Sequence, residues 1–212
     1  MPMEKKHEVL TSIKDESLIE KRRHQMIRAG VTLFKQKGFH RTTTREIAKE
    51  SGFSIGTLYE YIRTKEDLLY LVCDSIYNEV HDKLSQIPLQ NGTTHGLKTA
   101  IRQYYKVIDD MQDEFVVMYQ ETKSLPKSAL QYVLTKELEM VEIFQSILVG
   151  CQQAGELELT DTQINLYAHT LVVQGQMWAF RRWALGKEYT LEQFTELQIQ
   201  YVLKGMGKSN GY

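Results

Sequence analysis

The sequence predicts an all-α protein, with a three-helix domain containing a helix-turn-helix at the N-terminal end and a larger helical body behind it. Apolar residues recur three or four positions apart through most of the chain, which is the spacing of one helix face. Threonines followed three residues later by glutamate or glutamine mark several helix starts. No stretch alternates as a half-buried strand does, so we expect helices throughout.

The first predicted helix covers residues 18–37 and ends at Gly38. Its apolar positions are Ile27, Val31 and Phe34. Residues 1–17 mix charges, contain Pro2 and show no sustained period, which predicts a mobile N-terminal tail or a frayed extension of the first helix. The predicted DNA-binding domain therefore begins at residue 18 and extends to residue 65.

The stretch from Thr43 to Lys65 predicts two short helices joined by a tight turn. Thr43 and Glu46 have capping-box spacing, so the first helix is expected to start near Thr44. Gly52 suits the left-handed conformation that ends it, and Ser54 can cap the next helix. Two helices joined in this way form a helix-turn-helix, whose second helix enters the DNA major groove.

The second helix is predicted to expose hydroxyl groups. Leu58 and Ile62 lie four positions apart and form its inward face. The residues expected to face outward are Gly56, Thr57, Tyr59 and Tyr61. Glycine permits close approach of the backbone to phosphate, and the hydroxyls can bond phosphate or base edges. Lys65 is expected to open the next helix and contact phosphate.

Residues from about Glu20 to Leu71 resemble the N-terminal DNA-binding domain of the TetR/AcrR family of transcriptional regulators. The residues that carry the resemblance are Gly38-Phe39, Thr43-Thr44, Ile47-Ala48, Gly52-Phe53-Ser54, Gly56-Thr57-Leu58-Tyr59, Tyr61, Lys65 and Leu68. Ser51 and Ile62 stand where the family usually has alanine and phenylalanine. The DNA-binding residues that the resemblance implies are Thr43, Thr44, Arg45, Gly56, Thr57, Tyr59, Tyr61 and Lys65.

The charge distribution favours a nucleic-acid partner for the first domain. Residues 21–65 hold eleven Lys/Arg and three acids, a net charge of +8, although the whole chain carries −1. The remainder of the chain therefore carries −9. A basic module joined to an acidic body is typical of a protein whose first part contacts phosphate.

The rest of the chain reads as a connecting helix over residues 66–88 and a helical body over residues 89–212. The connecting helix has an apolar stripe that ends near Pro88, and in the resembled family it carries movement from the body to the DNA-binding domain. Helices are predicted over residues 94–111, 113–124, 127–153, 161–185 and 191–206. Gly186 is expected to separate the last two.

The resemblance implies that the last two helices form a homodimer interface. The apolar residues compatible with it are Leu166, Leu171, Val172, Val173, Trp178, Leu197, Tyr201 and Leu203. A face buried within one chain is the alternative. Dimerisation is favoured because two recognition helices must be spaced about one DNA turn apart to read a palindrome.

The resemblance also implies a small-molecule effector in the body. The aromatic and methionine residues expected to line its site are Tyr104, Tyr105, Phe115, Met118 and Tyr119. Trp178, Arg181 and Arg182 form a second candidate, in which the arginines bind a carboxylate or a coenzyme A phosphate. The alternatives are an ordinary core for the first set and ion pairs or solvated cations for the arginines. The effector itself is either an acyl-coenzyme A or fatty acyl compound, or an aromatic inducer.

The sequence contains no signal for a disulfide-rich, metal-binding, enzymatic or membrane-spanning protein. The two cysteines, Cys73 and Cys151, lie far apart, so no disulfide framework is expected and a cytoplasmic location is favoured. The histidines lack metal-ligand spacing, there is no phosphate-binding glycine loop, and no catalytic set or apolar membrane span stands out. We therefore predict a dimeric DNA-binding regulator, expected to be a repressor, without cofactor, metal or enzymatic activity. The alternative is a helical protein-interaction module whose basic face docks an acidic partner.

Overall fold

The computed structural model describes residues 9–85 and 92–206, and every regular element in those ranges is a helix. The first six α-helices are α1 (Glu16–Lys37), α2 (Thr44–Glu50), α3 (Ile55–Tyr59), α4 (Lys65–Ser85), α5 (Thr94–Asp110) and α6 (Gln112–Glu121). A 3₁₀ helix follows at Thr122–Ser124. None of the described helices is long and apolar enough to cross a lipid bilayer.

The remaining helices are α7 (Lys127–Gln153), α8 (Asp161–Phe180), α9 (Arg182–Glu188) and α10 (Leu191–Met206). The predicted body helices are therefore confirmed, with one correction. The segment expected to be one helix over residues 161–185 is two helices, because the backbone at Arg181 (φ −112°, ψ 13°) departs from helical values. Gly186 consequently lies inside α9, and the connection to α10 is at Tyr189–Thr190.

The chain divides into two compact units that differ from the predicted domains. The first, here called the head, comprises residues up to Ile76 together with Asp113–Lys136. The second, here called the body, comprises Tyr77–Gln112 and the chain from Glu137 onward. Helices α4 and α7 each contribute residues to both units. A boundary inside α4 could not be found in the sequence, because the apolar stripe continues unchanged through it.

Residues 9–17 pack on the head to a greater extent than the sequence predicts. Val9 is buried, and Thr11 Oγ1 and Ser12 N donate to the Glu60 carbonyl at 2.7 and 3.2 Å. Asp15 accepts from the Leu18 amide and caps α1, which begins at Glu16. The prediction of a mobile tail is therefore wrong for residues 9–17, because these polar contacts hold the segment on the head. Residues 1–8 lie outside the described range.

The body is built around an aromatic core. Tyr104 packs edge-on to Phe144 with ring centroids 5.5 Å apart, and Trp178 lies 4.9 Å from Phe194. Helices α5 and α8 approach closely at Gly175. A Cβ atom there would lie 2.7 Å from Tyr105 Cε1 and 2.9 Å from Tyr104 Cε1, and contacts that short are not tolerated without movement of the rings.

We expect Gly175→Ala to destabilise the protein by about 1–3 kcal/mol, because the added methyl overpacks the α5–α8 contact. Gly205→Ala is the matched control, since a Cβ at Gly205 meets Tyr167 at an ordinary 3.5 Å and alanine favours the helix. Denaturant unfolding of the two variants compares them. Equal stability of both variants would contradict the close packing of α5 on α8.

Candidate nucleic-acid interface

The start of α2 is fixed by a capping box that links the threonine cap to α1. The Glu46 amide donates to Thr43 Oγ1 at 3.3 Å, and Glu46 Oε2 accepts from the Thr43 amide at 2.9 Å. Lys37, in the last turn of α1, donates to Glu46 Oε1. The Lys37 hydrogen bond, followed by the Thr43 bonds, lowers the pKa of Glu46 from 4.5 to about 2. The carboxylate therefore stays charged, and the cap intact, at all but strongly acidic pH.

Helix α3 is the short second helix of the helix-turn-helix expected from the sequence. Gly52, with φ +74°, makes the left-handed turn before it, and Ser54 Oγ accepts from the Thr57 amide at 3.0 Å. Gly56 is exposed, whereas Thr57 is half-buried and its Oγ1 lies 2.9 Å from Ser54 Oγ. The backbone at Gly56 is thus open to a close approach by phosphate, while the Thr57 hydroxyl already takes part in the cap.

A hydrogen bond between Thr44 and Tyr59 joins the two helices on the outer surface. Thr44 Oγ1 lies 3.1 Å from the Tyr59 hydroxyl, and Tyr59 remains 49 % exposed. Arg45, next to Thr44, is exposed. Because both hydroxyls can donate and accept, the pair presents a fixed polar surface with a cation beside it. This arrangement is suited to a DNA groove flanked by phosphates.

The expectation that Tyr61 faces outward is wrong. Helix α3 ends at Tyr59, so the chain has left the helix before Tyr61, whose side chain is only 3 % exposed. The Leu58–Ile62 spacing predicts a helix that continues to Ile62, and Tyr61 would lie on the outer face of such a helix. Its main-chain oxygen accepts from Arg23 Nε at 3.3 Å, and its side chain belongs to the core of the head rather than to the exposed surface of α2 and α3.

The basic residues of the head fall into two groups. One group bonds within the protein, since Arg23 donates to the Val9 and Tyr61 carbonyls and Lys37 to Glu46. Within residues 21–65, the exposed basic residues are Lys21, Arg28, Lys35, Arg41, Arg45, Lys49 and Arg63. Lys35 is paired with Asp113 at 2.5 Å. The net charge of +8 therefore overstates the charge available to phosphate.

Lys65 opens α4 as expected, but its ammonium group has partners inside the head. Nζ donates to the carbonyls of Phe39, His40 and Thr42 at 3.0, 3.2 and 3.3 Å. It also lies 4.5 Å from the centroid of the Phe39 ring. The family resemblance assigned this lysine to phosphate, and nothing in its spacing indicated carbonyl ligands instead.

The predicted effector-lining residues do not form one set. Tyr104 and Tyr105 are fully buried in the body, whereas Phe115 and Met118 are buried in the head. Tyr119 is 70 % exposed, so its assignment to an apolar lining is wrong. It follows Met118 on α6, and consecutive residues of a helix lie about 100° apart around its axis. The sequence does not show that these residues belong to two different units, because α5 and α6 follow one another directly along the chain.

The two arginines after Trp178 differ in environment. Arg182 Nη1 and Trp178 Nε1 both donate to Asp109 Oδ1, at 2.5 and 2.8 Å, and the Arg182 guanidinium lies 4.5 Å from the Trp178 ring centroid. Arg181 is exposed and lies 5.3 Å from the ring of Trp183. Asp109 was missed by the sequence analysis, although it lies four residues after Tyr105 and so on the same helix face.

The body also contains a half-buried polar cluster that the sequence did not reveal. Glu137 Oε1 accepts from Gln176 Nε2 at 2.7 Å, and its Oε2 accepts from the Tyr77 hydroxyl at 3.3 Å. Cys73 and Cys151 are both buried. Among residues 9–85 and 92–206, no group of three or more His, Cys, Asp or Glu side chains could hold a metal ion.

Comparisons with known proteins match both parts of the chain. A family model described as bacterial regulatory proteins, tetR family, matches residues 26–71. A second, described as tetracyclin repressor-like C-terminal domain, matches residues 92–183. The HTH-type transcriptional regulator HbdR of Aromatoleum sp. (strain CIB) is 28 % identical over 217 residues, covering 99 % of this chain and 93 % of the relative.

Solved structures show the same fold. A tetR-family regulatory protein from Rhodococcus RHA1 superposes with a TM-score of 0.79 at 21 % identity, over 90 % of this chain and 99 % of the other. AibR in complex with isovaleryl coenzyme A and operator DNA gives a TM-score of 0.71 at 16 % identity, over 85 % and 97 %. Proteins of this family are DNA-binding regulators and not enzymes. The two matched regions cover well over half of the sequence, and the chain belongs to the TetR family of bacterial transcriptional regulators.

Proposed function

We propose that the protein is a homodimeric repressor that leaves a palindromic operator when a small molecule binds its body. The observation that carries the DNA-binding part is the outward Thr44–Tyr59 hydroxyl pair beside exposed Arg45. In this proposal Tyr59 and the backbone at Gly56 face the major groove, and Arg45 contacts phosphate. Repression is the simplest result, because a bound dimer excludes other proteins from the same duplex.

We expect Tyr59→Ala and Arg45→Ala to weaken operator binding in different ways. The operator would be a duplex selected from a random pool, with affinity measured by fluorescence anisotropy at several salt concentrations. Loss of Arg45 should reduce the salt slope by about 0.9 per contact, or about 1.8 for two heads. Loss of Tyr59 should cost about 1–3 kcal/mol with little change in slope, because the phenol is uncharged.

Tyr189→Ala is the control for these variants, because Tyr189 is an equally large exposed side chain of the body. It should bind the selected duplex as the wild type does. If the Tyr59 and Arg45 variants bind the duplex with wild-type affinity, α2 and α3 do not contact it. Failure of the wild type to enrich any duplex would contradict operator binding altogether.

The dimer interface is proposed to lie on the outer faces of α8 and α10. Leu166 and Val173 are 66 % and 59 % exposed on α8, and Leu197 and Tyr201 are 51 % and 72 % exposed on α10. The other apolar residues considered for this interface differ, since Leu171, Val172 and Trp178 are buried in the body's own core. Pairing of the exposed faces would remove this apolar surface from water and give the protein two recognition helices.

We expect Leu166→Glu to shift the protein from dimer to monomer, because a carboxylate would be buried at the centre of the apolar face. Asn165→Glu adds the same side chain at the neighbouring exposed position of α8 and should remain dimeric. Sedimentation equilibrium distinguishes the two. A dimeric Leu166→Glu protein would place the interface elsewhere.

We propose that the effector is an acyl-coenzyme A bound in the aromatic interior of the body. Support comes from the isovaleryl coenzyme A complex of AibR, which shares the fold. The Tyr105 hydroxyl is buried without a hydrogen-bond partner among the described residues, so a polar atom of the ligand can satisfy it. Arg181 is exposed and can pair with a coenzyme A phosphate, whereas Arg182 is already held by Asp109.

Acyl-coenzyme A thioesters of increasing chain length should release the protein from the selected duplex, lowering operator affinity by about 5–150-fold. Free coenzyme A, which lacks the apolar chain, is the control and should release less. Arg181→Ala should weaken the thioester effect without changing operator affinity. Release by aromatic compounds alone would instead assign the site to an aromatic inducer, and tighter operator binding with thioester would reverse the sign of regulation.

A further inference from the structure

The ammonium group of Lys65 is saturated by main-chain oxygens. A lysine Nζ has three N–H donors, and here three carbonyls, those of Phe39, His40 and Thr42, lie 3.0–3.3 Å from it. The Phe39 ring lies below the same atom, at 4.5 Å from Nζ to its centroid. A phosphate ligand would have to replace at least one of these carbonyls, which would then lose its charged donor.

The three carbonyls belong to the connection between α1 and α2, residues 38–43. This segment is packed rather than free, since Phe39 is 1 % exposed and lies 5.1 Å from the Phe34 ring. Thr42 is 2 % exposed and its Oγ1 donates to the Gly38 carbonyl at 2.9 Å. Carbonyl dipoles that converge on one point repel one another, so they need a donor at their centre.

The next residue of the connection is the cap of α2. Thr43 follows Thr42 directly, and Thr44, which bonds Tyr59 across the outer surface, is the first residue of α2. The position of the Thr42 carbonyl therefore sets where α2 begins. The capping box and Lys37 hold the cap from the side of Glu46, and Lys65 holds it from the side of the preceding loop.

We propose that Lys65 is a positioning residue for operator binding, which holds the α1–α2 connection through three carbonyls so that Thr44 meets Tyr59, and that it is not a phosphate ligand. This inference rests on the proposed operator binding. It separates Lys65 from Arg45, whose side chain is exposed and which the same proposal places on phosphate.

The salt dependence of operator affinity tests the assignment. Lys65→Met keeps the length and apolar stem of the side chain and removes the donors, so we expect an affinity loss of about tenfold or more at every salt concentration. The salt slope should equal that of the wild type, because no phosphate contact is lost. The Arg45→Ala protein, measured on the same selected duplex, should show the reduced slope of a lost phosphate contact, about 1.8 for two heads.

A double-mutant cycle with Thr44→Val distinguishes positioning from general destabilisation. If Lys65 acts by placing Thr44, Thr44→Val should cost much less operator affinity in the Lys65→Met protein than in the wild type. Two unrelated effects on folding would instead add. Lys65→Arg is the second variant, since it keeps the charge but its planar guanidinium cannot direct three donors to one point as an ammonium does.

Several results would overturn the inference. They are a reduced salt slope in Lys65→Met, wild-type affinity in Lys65→Met or Lys65→Arg, and additivity of the Lys65 and Thr44 substitutions. If circular dichroism shows that Lys65→Met does not fold, the test uses Lys65→Arg instead. Its operator affinity and its own double-mutant cycle with Thr44→Val then take the place of the Lys65→Met measurements. The wild-type and Arg45→Ala measurements test operator binding without Lys65, so a failure of the proposed function is distinguishable from a failure of this inference.

Discussion

The surface proposed to contact DNA depends on where α2 begins. Helix α2 has seven residues and α3 has five, and helices this short are not stable by themselves. Their orientation comes from contacts at their ends: the Thr43–Glu46 capping box, the Ser54 cap and the Thr44–Tyr59 hydrogen bond. A small shift of the cap would therefore move the exposed hydroxyls, although the hydrophobic core beneath remained the same.

Much of this local structure is predictable because capping is a short-range pattern. The capping box at Thr43, and the helix that follows it, are found in the structure where the sequence places them. Whether a side chain faces the core or the solvent is harder to predict from the sequence, as Tyr61 shows. Whether that tyrosine faces solvent depends on the residue at which α3 ends, and a shift of two positions exchanges the outside of a helix for the core.

Contacts between distant parts of the chain were the least predictable. The partners of Lys65 lie 23 to 26 residues earlier, and Asp109 lies 69 residues before its partner Trp178. Neither pairing has a periodic signal, because each depends on how helices cross rather than on one helix's pattern. The net charge of residues 21–65 is also a poor guide to the surface, because it counts Arg23, which is bonded to carbonyls, equally with the exposed Arg45.

The contacts of Thr11 and Ser12 have a practical consequence for experiments. Thr11 and Ser12 bond the carbonyl of Glu60, the residue that immediately follows α3. A purification tag or fusion partner joined directly to Val9 would begin close to the end of α3. It could obstruct the duplex or, if rich in histidine and lysine, attract it non-specifically. Proteolytic removal of such an extension should precede any quantitative work with nucleic acid.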